Sequence, residues 1–263
     1  MKRNLRVKRI VIKIGTNTIT NKEGMLDFKI VKNLISQIAR IKDKKEILII
    51  TSGAIASGMK ELGLKRRPDN VVVRQVCAAI GQNILMTNYY SLFREHKIKI
   101  AQILLKYGDF SDKEAYKNLH NSITKLLQLQ VIPIINENDP ISINEIGFSF
   151  GDNDNLSALI AANLDVGLLI ILTNVNGLYD KDPKNKDAVM IKEVKNIDNK
   201  IKSMGGKASA LGLGGMKTKI QAAKTATKAG TTVIIANGRK KNVLIKILKN
   251  EEIGTIFYPK KMQ

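Results

Sequence analysis

Residues 212–219, with the sequence GLGGMKTK, contain the glycines, the hydroxyl group and the lysines that phosphate-binding loops use. The Walker phosphate loop follows the pattern G-x-x-x-x-G-K-[ST]. Lys217 and Thr218 supply the K-T pair, but Met216 occupies the position of the last glycine. A glycine is needed there because the backbone passes close to the phosphates, and a Cβ would block that approach. The stretch is therefore either an ordinary loop or a phosphate-binding loop of another geometry.

Residues 151–158, with the sequence GDNDNLSA, form a second candidate site. Asp152 and Asp154 flank Asn153 directly before an apolar stretch that predicts a helix. Asp and Asn often cap helix N-termini, because they accept hydrogen bonds from free N–H groups and oppose the helix dipole. One such residue is enough for a cap, and this run of polar residues exceeds that need. The segment therefore indicates either a capped helix or an acidic part of a binding site.

Lys13 is a third candidate, because it interrupts the apolar run of residues 8–14, KRIVIKI. An unpaired ammonium group in a buried strand costs free energy unless a carboxylate or a bound anion meets it. The chain has 44 lysine and arginine residues, and most of them are expected at the surface. Lys219 lies in a predicted helix with three other lysines, so residue type alone does not distinguish it from them.

Cysteine, histidine and metal chemistry is not indicated. The single cysteine, Cys77, lies in an apolar stretch and is expected to be buried and unreactive. His96 and His120 lie in polar helical contexts and are expected to face solvent. Because the chain lacks histidines, cysteines and acids at ligand spacing, no structural zinc site is predicted and no residue is assigned to a metal.

Apolar, β-branched runs alternate along the chain with stretches of helical spacing. Runs of this length suit strands of a parallel sheet that is covered on both faces. The predicted strands are residues 8–14, 46–51, 98–105, 131–135, 167–173 and 231–236. The predicted helices are residues 26–41, 69–93, 156–164, 217–229 before Gly230, and one that runs from a capping box at Ser111 and Glu114 towards Gln130. This alternation predicts an α/β fold, a three-layer αβα sandwich with a mostly parallel central sheet.

Polar or small residues follow four of the predicted strands at the point where each strand ends. In an open α/β sheet, ligands bind beyond the carboxyl ends of the strands. These residues are Gly15 after the first strand, Ser52, Gly53 and Ala54 after the second, Asn136 and Asp139 after the fourth, and Thr173 and Asn174 after the fifth. We therefore expect one binding site along this edge of the sheet.

The composition limits the classes of partner. The net charge is +21, and a basic field concentrates polyanions such as nucleic acid. The lysines are spread along the chain, however, and only 5% of the residues are aromatic, so the stacking of bases is not favoured. No apolar run reaches the roughly 18 residues of a membrane span. The basic and apolar amino terminus is interpreted as a first strand rather than a signal peptide, which predicts a cytoplasmic protein.

Six segments, taken in order, resemble the amino-acid kinase family, and within it the members that phosphorylate glutamate. They are KIGTNT, TSGAIASG, IPIINEND, FGDNDNLSA, LTNVNGLYDKDP and GLGGMKTKIQAA. INEND followed by GDNDNLSA is the most specific of these features, whereas the lysine–glycine start and the glycine-rich loop are shared more widely. The resemblance covers essentially the whole chain. It implies ATP-dependent phosphorylation of the side-chain carboxylate of L-glutamate to L-glutamyl 5-phosphate, the first step of proline biosynthesis.

The resemblance also implies roles for individual residues. Lys13 and Lys219 match two lysines that contact phosphate, and Asp154 matches the aspartate that holds both lysines. The implied substrate-binding residues are Ser52, Gly53, Ala54, Asn136, Asp139, Asp152 and Asn153. The implied ATP-binding residues are Lys13, Gly15, Thr173, Asn174, Leu213, Gly214, Gly215, Met216, Lys217, Thr218 and Lys219. Two of them depart from the family pattern, because Asn174 stands in place of an aspartate and Leu213 in place of a threonine or serine.

The partners that the resemblance implies are L-glutamate, ATP with Mg²⁺, and further copies of the chain in a dimer or tetramer. Neither a membrane nor nucleic acid is expected as a partner. Residues 1–263 are expected to form one kinase domain, its amino-terminal half mainly for glutamate and its carboxyl-terminal half mainly for ATP, without the C-terminal PUA domain of many bacterial members. Two alternatives stay open: a family kinase acting on acetylglutamate, aspartate or UMP, and a catalytically inactive, basic RNA-binding protein.

Overall fold

The computed structural model of the protein describes residues 3–5, 7–21, 25–142, 153–206 and 215–259. The strands in these ranges are β1 (Arg9–Ile14), β2 (Glu46–Ile50), β3 (Ile100–Leu105), β4 (Ile132–Glu137), β5 (Leu168–Thr173), β6 (Leu178–Tyr179), β7 (Met190–Ile191), β8 (Glu193–Val194), β9 (Thr232–Asn237) and β10 (Thr255–Phe257). The α-helices are α1 (Thr16–Ile19), α2 (Phe28–Ile41), α3 (Ala54–Glu61), α4 (Val71–Arg94), α5 (Lys113–Gln128), α6 (Asn153–Asn163), α7 (Asn199–Ser203), α8 (Met216–Lys228) and α9 (Val243–Leu248).

One large sheet organises the molecule, with the strand order β3-β4-β2-β1-β5-β9-β10-β8. The pairs from β3 to β9 are parallel, whereas β10 runs antiparallel to β9. The predicted mostly parallel sheet is thereby confirmed. The chain leaves β1 towards β2 on one side and continues with β5 on the other side. A ligand site is expected where the strand order reverses in this way, at the carboxyl ends of β1 and β5.

Side-chain alternation along β1 assigns its residues to two apolar layers. Ile10, Ile12 and Ile14 pack with side chains of α2, α4 and α9 on one face. Val11 packs on the other face with side chains of α5, α6 and α8. The predicted three-layer αβα sandwich is therefore confirmed. Since successive strand residues point to opposite faces, Lys13 points to the same side as Val11, towards α6 and α8.

The predicted elements are present with boundaries that differ by a few residues, and one local prediction is wrong. All six predicted strands and all five predicted helices occur in the structure. Ser111 and Glu114 do not form a capping box, because Asp112 is the N-cap of α5 and its carboxylate accepts hydrogen bonds from two backbone N–H groups. The C-terminal stop of α8 at Gly230 agrees with the glycine's positive φ of +88°. The short elements α3, α7, α9, β6, β7, β8 and β10 do not follow from hydrophobic periodicity, because few residues define them.

Helices α3 and α4 pack with their backbones in close contact. A Cβ at Gly81 would lie 1.8 Å from the carbonyl oxygen of Ala54 and 2.4 Å from the backbone nitrogen of Gly58. A Cβ at Gly58 would lie 1.9 Å from the carbonyl oxygen of Cys77. No side chain fits at either glycine unless the helices separate. Because α3 begins close to the end of β2, this contact places the middle of α4 next to the carboxyl edge of the sheet.

We expect Gly81→Ala to lower the free energy of unfolding by about 2 kcal/mol, as overpacked substitutions do. In an ordinary helix interior the same change would stabilise the protein by about 0.5–1 kcal/mol, so the sign reports the helix contact. Denaturant unfolding measures it. Asn83→Ala, at an exposed position of the same helix, is the control and should leave stability nearly unchanged. A Gly81→Ala protein as stable as the parent would contradict the close contact.

Candidate active site

Three charged side chains meet at the carboxyl edge of the sheet. Lys13 comes from the end of β1, Asp154 from the first turn of α6, and Lys219 from the first turn of α8. The Nζ atom of Lys13 lies 2.6 Å from Oδ1 of Asp154, and Nζ of Lys219 lies 2.9 Å from Oδ2. One carboxylate thus holds two ammonium groups side by side, and we call these residues the ion triad.

The ion triad is almost fully buried. Side-chain exposure is 7% for each lysine and 1% for Asp154. Burial by itself raises the pKa of Asp154, but the attraction of Lys13 and Lys219 outweighs burial and holds the pKa well below its usual range. Asp154 is therefore ionised at neutral pH. The three groups carry a formal charge of +1, and an anion beside the two lysines would be stabilised by them.

The described part of GLGGMKTK, residues 215–219, contributes Thr218 as well as Lys219 to the surroundings of Asp154. The hydroxyl oxygen of Thr218 lies 2.7 Å from Oδ2 of Asp154 and 2.9 Å from the carbonyl oxygen of Gly215. Lys217 is exposed, so the lysine of the apparent K-T pair is not the one in the ion triad. A Cβ at Gly15 would lie only 3.3 Å from Nζ of Lys13, so the glycine after β1 leaves room for the buried ammonium group.

Helices α3 and α8 begin at this edge without a side-chain cap, as the single-turn helix α1 does after Gly15. Their N-cap residues are Gly53 for α3 and Gly215 for α8, and no side chain in the described residues caps them. Helices α2, α4, α5 and α7 instead begin at Asp27, Asn70, Asp112 and Asp198, each of which accepts a hydrogen bond from a backbone N–H group. Uncapped N–H groups at a helix start bind anionic groups well.

Three side-chain amides form a connected cluster next to the ion triad. Nδ2 of Asn153 donates to the carbonyl oxygen of Thr51 (2.6 Å), to the hydroxyl oxygen of Ser52 (3.1 Å) and to Oδ1 of Asn136 (2.8 Å). Nδ2 of Asn136 donates in turn to Oε1 of Gln82 at 2.8 Å. All three amide side chains belong to buried residues. This amide cluster joins the ends of β2 and β4 to the helices α4 and α6.

Gln82 is a site residue that the sequence pattern does not reveal. It lies in the middle of the long helix α4, away from any turn and outside any run of polar residues. A glutamine in such a helix is usually exposed, whereas Gln82 is buried. Its one local sign is the neighbouring Gly81, whose close helix contact brings this part of α4 to the sheet.

Asp139 and Glu137 place two buried carboxylates at the end of β4. Burial, and then repulsion by Glu137, raise the pKa of Asp139 to about 7, against a smaller attraction by Arg67. Oδ1 of Asp139 has no hydrogen-bond partner in the part of the chain that the structure describes. A cationic group bound beside Asp139 would favour its ionised form and satisfy this oxygen.

Two of the residues predicted to bind the nucleotide, Thr173 and Asn174, lie at the end of β5. Thr173 is buried, and its hydroxyl oxygen lies 3.4 Å from Oδ1 of Asn174. Nδ2 of Asn237 donates to the carbonyl oxygen of Asn174 and to Oδ1 of Asn176, at 3.3 and 3.2 Å. Asn237, which sequence reasoning did not select, therefore fixes the segment that follows β5.

Arg239 fixes the segment that follows β1. Its guanidinium group donates to the carbonyl oxygens of Asn17 at 2.9 Å and Thr18 at 3.2 Å, and also to that of Thr20. An arginine in the loop after β9 gives no sequence signal for this role, because its partners are more than two hundred residues away.

The structure brings together most of the residues that the sequence selects. Direct contacts join Lys13, Asp154, Lys219 and Thr218 in one group and Ser52, Asn136 and Asn153 in the other. Gly15, Gly53, Ala54, Asp139, Thr173, Asn174, Gly215, Met216 and Lys217 lie on the segments that follow the strands or begin α3 and α8. Asp152, Leu213 and Gly214 lie outside the described residues.

Other side chains with reactive groups lie away from this edge or are inert. Cys77 is a buried free thiol, and burial raises its pKa, as expected for an unreactive cysteine. His96 is exposed as predicted, but His120 is half-buried beside the ring of Tyr116. Across the described ranges, no group of three or more His, Cys, Asp or Glu side chains could hold a metal ion. The same ranges contain no helix long and apolar enough to cross a bilayer.

The sequence is similar to known kinases. The model of the amino acid kinase family matches residues 8–237. Over 261 residues the chain is 46% identical to glutamate 5-kinase of Methanosarcina barkeri. The alignment covers 95% of this chain and 68% of that protein. It is 42% identical over 257 residues to glutamate 5-kinase of Clostridium acetobutylicum, with 97% of this chain and 96% of that protein covered.

Solved structures of other kinases share the fold. Carbamate kinase from Giardia lamblia bound to AMP-PNP superimposes with a TM-score of 0.69 at 18% identity, over 96% of this chain and 99% of that one. Isopentenyl phosphate kinase from T. acidophilum superimposes with a TM-score of 0.65 at 17% identity, over 95% of this chain and 100% of that one. At such low identity the likeness concerns the fold and not the substrate.

Asp154→Asn is expected to lower the free energy of unfolding by about 3 kcal/mol or more, because it leaves two buried ammonium groups without their carboxylate. Denaturant unfolding at pH 7 measures the loss. Asp187→Asn is the matched control, because Asp187 pairs with Lys181 at the surface, where an ion pair contributes little. Equal stability of the two variants would contradict the structural role of Asp154.

Proposed function

The chain belongs to the amino acid kinase family, and we propose that it is a glutamate 5-kinase. It transfers the γ-phosphoryl group of ATP to the side-chain carboxylate of L-glutamate and releases L-glutamyl 5-phosphate and ADP. This reaction is the first step of proline biosynthesis. The observation that carries the proposal is that Asn153 and Asp154 are adjacent in the chain and face two different groups. Asn153 belongs to a pocket of amides and carboxylates, and Asp154 holds a buried pair of lysines. Identity of 42% and 46% to glutamate 5-kinases supports the choice of substrate.

The reaction suits the side chains of the ion triad. A carboxylate is already ionised at neutral pH, so its attack on phosphorus needs no general base. The new bond joins a carboxylate oxygen of glutamate to the γ-phosphorus, and the bond from that phosphorus to the bridging oxygen of ADP breaks. Negative charge on the transferring group must be stabilised and the reactants must be aligned. Lys13 and Lys219 would supply that charge, and Asp154 holds both in position.

The pocket at the ends of β2 and β4 suits the amino-acid end of the substrate. Asp139 has a buried oxygen without a partner in the described residues, which an ammonium group would satisfy. The uncapped start of α3 at Gly53 and Ala54, with the hydroxyl of Ser52, offers donors to a carboxylate. An acidic residue at the ammonium would select an amino acid over a plain dicarboxylate.

ATP would bind where the ends of β5 and β9 meet the start of α8. The uncapped N–H groups of α8 and the glycine after β1 suit close approach of phosphate oxygens. Mg²⁺ would enter with ATP and neutralise charge on the phosphates. Both oxygens of Asp154 are engaged by lysines, so this carboxylate does not fit as a ligand of the ion.

The chain would act as one kinase domain, since Gln82, Asn136 and Asp139 come from its first half and Lys219 from its second. A homo-oligomer is supported by apolar side chains exposed on α4, where Val72 is 62% and Val76 is 47% exposed. A cytoplasmic location stays a prediction from the sequence.

A coupled assay of ADP release should show turnover with L-glutamate and much less with N-acetylglutamate, L-aspartate or UMP. Acetylation removes the ammonium group that Asp139 would bind, aspartate is one methylene shorter, and UMP lacks the ammonium group altogether. Turnover restricted to one of these other substrates would reassign the enzyme within the family. RNA binding without any kinase activity would instead favour the inactive alternative.

Two lysine variants show whether that activity belongs to this site. Lys219→Met should lower kcat by about two to three orders of magnitude, because it removes a charge that stabilises the transferring phosphoryl group. Lys228→Met, at an exposed position near the end of the same helix, should keep the parent kcat. Similar turnover in both variants would contradict the role of Lys219.

The KM for glutamate should rise as the pH falls below about 7, by roughly tenfold for each unit, while kcat changes little. Asp139 has a pKa raised to about 7, so it becomes neutral below that pH and loses its attraction for the ammonium group. Initial rates between pH 5.5 and 8.5 measure this. Asp139→Asn should have a high KM at pH 8 and lack the dependence; an unchanged pH profile in this variant would remove Asp139 from the pocket.

A further inference from the structure

We propose that Gln82 binds the α-carboxylate of the substrate and that the amide cluster recognises both charged groups at the α-carbon. The proposal rests on the proposed function, since it names a further residue of that glutamate pocket. It is carried by the juxtaposition of Gln82, Asn136 and Asn153 in one hydrogen-bonded series between α4 and α6.

The direction of the hydrogen bonds in the amide cluster is fixed at one end. The carbonyl oxygen of Thr51 can only accept, so the atom 2.6 Å from it must be the NH₂ group of Asn153. That NH₂ group also faces the side chain of Asn136, which must present its oxygen there and its NH₂ group to Gln82. Gln82 therefore accepts with its oxygen, and its own NH₂ group is left at the end of the series.

Both ends of the series are buried, and neither has a hydrogen-bond partner among the described residues. Nε2 of Gln82 is a donor, and Oδ1 of Asn153 is an acceptor. Gln82 is 8% exposed and Asn153 is 5% exposed. Buried polar groups are nearly always paired, so two such atoms in one cluster suit the binding of a polar ligand. The ligand must offer an acceptor to Gln82 and a donor to Asn153.

An α-amino acid carries both groups on one carbon atom, Cα. Its carboxylate accepts from an amide N–H, and its ammonium group donates to an amide oxygen. Oδ1 of Asp139, also buried and without a partner in the described residues, provides a further acceptor for the ammonium group. The side-chain carboxylate of glutamate must lie at Lys13 and Lys219 to react, which leaves the α-carboxylate for Gln82.

Packing holds Gln82 in the orientation that this role needs. Its neighbour Gly81 lies against the backbone of α3, so this part of α4 cannot move away from the strand ends without breaking the helix contact. About two turns further along α4, the hydroxyl of Tyr89 lies 2.9 Å from that of Thr51. The residue that fixes the direction of the amide cluster is thus itself held by α4.

The test compares Gln82→Met with the parent enzyme on two substrates, L-glutamate and its α-amide, isoglutamine. Gln82→Met should raise the KM for glutamate by roughly ten- to a hundredfold, the range for a lost hydrogen bond to a charged group, and leave the KM for ATP unchanged. The parent should prefer glutamate over isoglutamine, and the variant should lose most of that preference, because Gln82 recognises the group in which the two differ. A purely structural effect would weaken both substrates equally.

Two further variants keep the test interpretable. Gln82→Glu retains an oxygen for Asn136 but places a carboxylate against the α-carboxylate, so its KM for glutamate should exceed that of Gln82→Met. Asn83→Leu, at the neighbouring exposed position, should match the parent in both KM values. If Gln82→Met does not fold, the glutamate–isoglutamine preference of Gln82→Glu decides, since this variant keeps the bond to Asn136.

Failure of this inference is distinct from failure of the proposed function. A parent enzyme without activity on glutamate would overturn the proposed function and this inference together. A parent enzyme active on glutamate, with Gln82→Met retaining both its KM and its preference over isoglutamine, would overturn the role of Gln82 alone.

Discussion

The arrangement of the active-site edge depends on one buried carboxylate, that of Asp154. Two ammonium groups lie within 3 Å of its oxygens, at 2.6 and 2.9 Å, and none of the three side chains has more than slight contact with solvent. Two buried ammonium groups without a counter-ion would cost free energy. Asp154 offsets that cost and ties β1 to α6 and α8. It also leaves the centre with a formal positive charge, which is the condition for attracting and stabilising a phosphoryl group.

Around this centre, glycines allow close contacts at two places. Gly15 leaves space beside the buried ammonium group of Lys13, and Gly58 and Gly81 let two helices meet backbone to backbone. The contact between α3 and α4 also matters for the proposed binding site, because it brings Gln82 to the strand ends. The proposed pocket for the amino-acid end is therefore built partly by a helix whose only local sign of this role is Gly81 beside Gln82. Its polar atoms are organised in one direction by a backbone carbonyl that can only accept.

Buried charges at the candidate site differ in their surroundings from the many exposed lysines. A net charge of +21 by itself favours a polyanion as partner, but the lysines that lie at the candidate site are two buried side chains that share one carboxylate. Exposed lysines such as Lys217 and Lys228 lie on the same helix as Lys219 and differ from it by the face they occupy. At the other end of the site the opposite sign dominates, since Asp139 and Glu137 are both buried. An amino acid with an acidic side chain would thus meet positive charge at its side-chain carboxylate and negative charge at its ammonium group.

The sequence by itself determined the α/β class, the six principal strands, and the carboxyl edge at which the polar residues gather. These features follow from local patterns: continuous apolar runs, helical spacing, and side chains that come directly after a strand. Lys13 could be selected because a charge inside an apolar run is locally anomalous, and Asp139, Asn136 and Asn153 because they follow or precede regular elements. Residue type alone did not distinguish Lys219 from Lys217; the resemblance implied Lys219, and the structure places it 2.9 Å from Asp154 while Lys217 is exposed. Only the tertiary structure decided that Asp112, rather than Ser111, caps α5, and that Gln82, Asn237 and Arg239 support the site. The roles of Lys219, Gln82, Asn237 and Arg239 depend on which face of an element is buried and on partners that are distant in the chain. A residue's immediate neighbours in the sequence show neither of these.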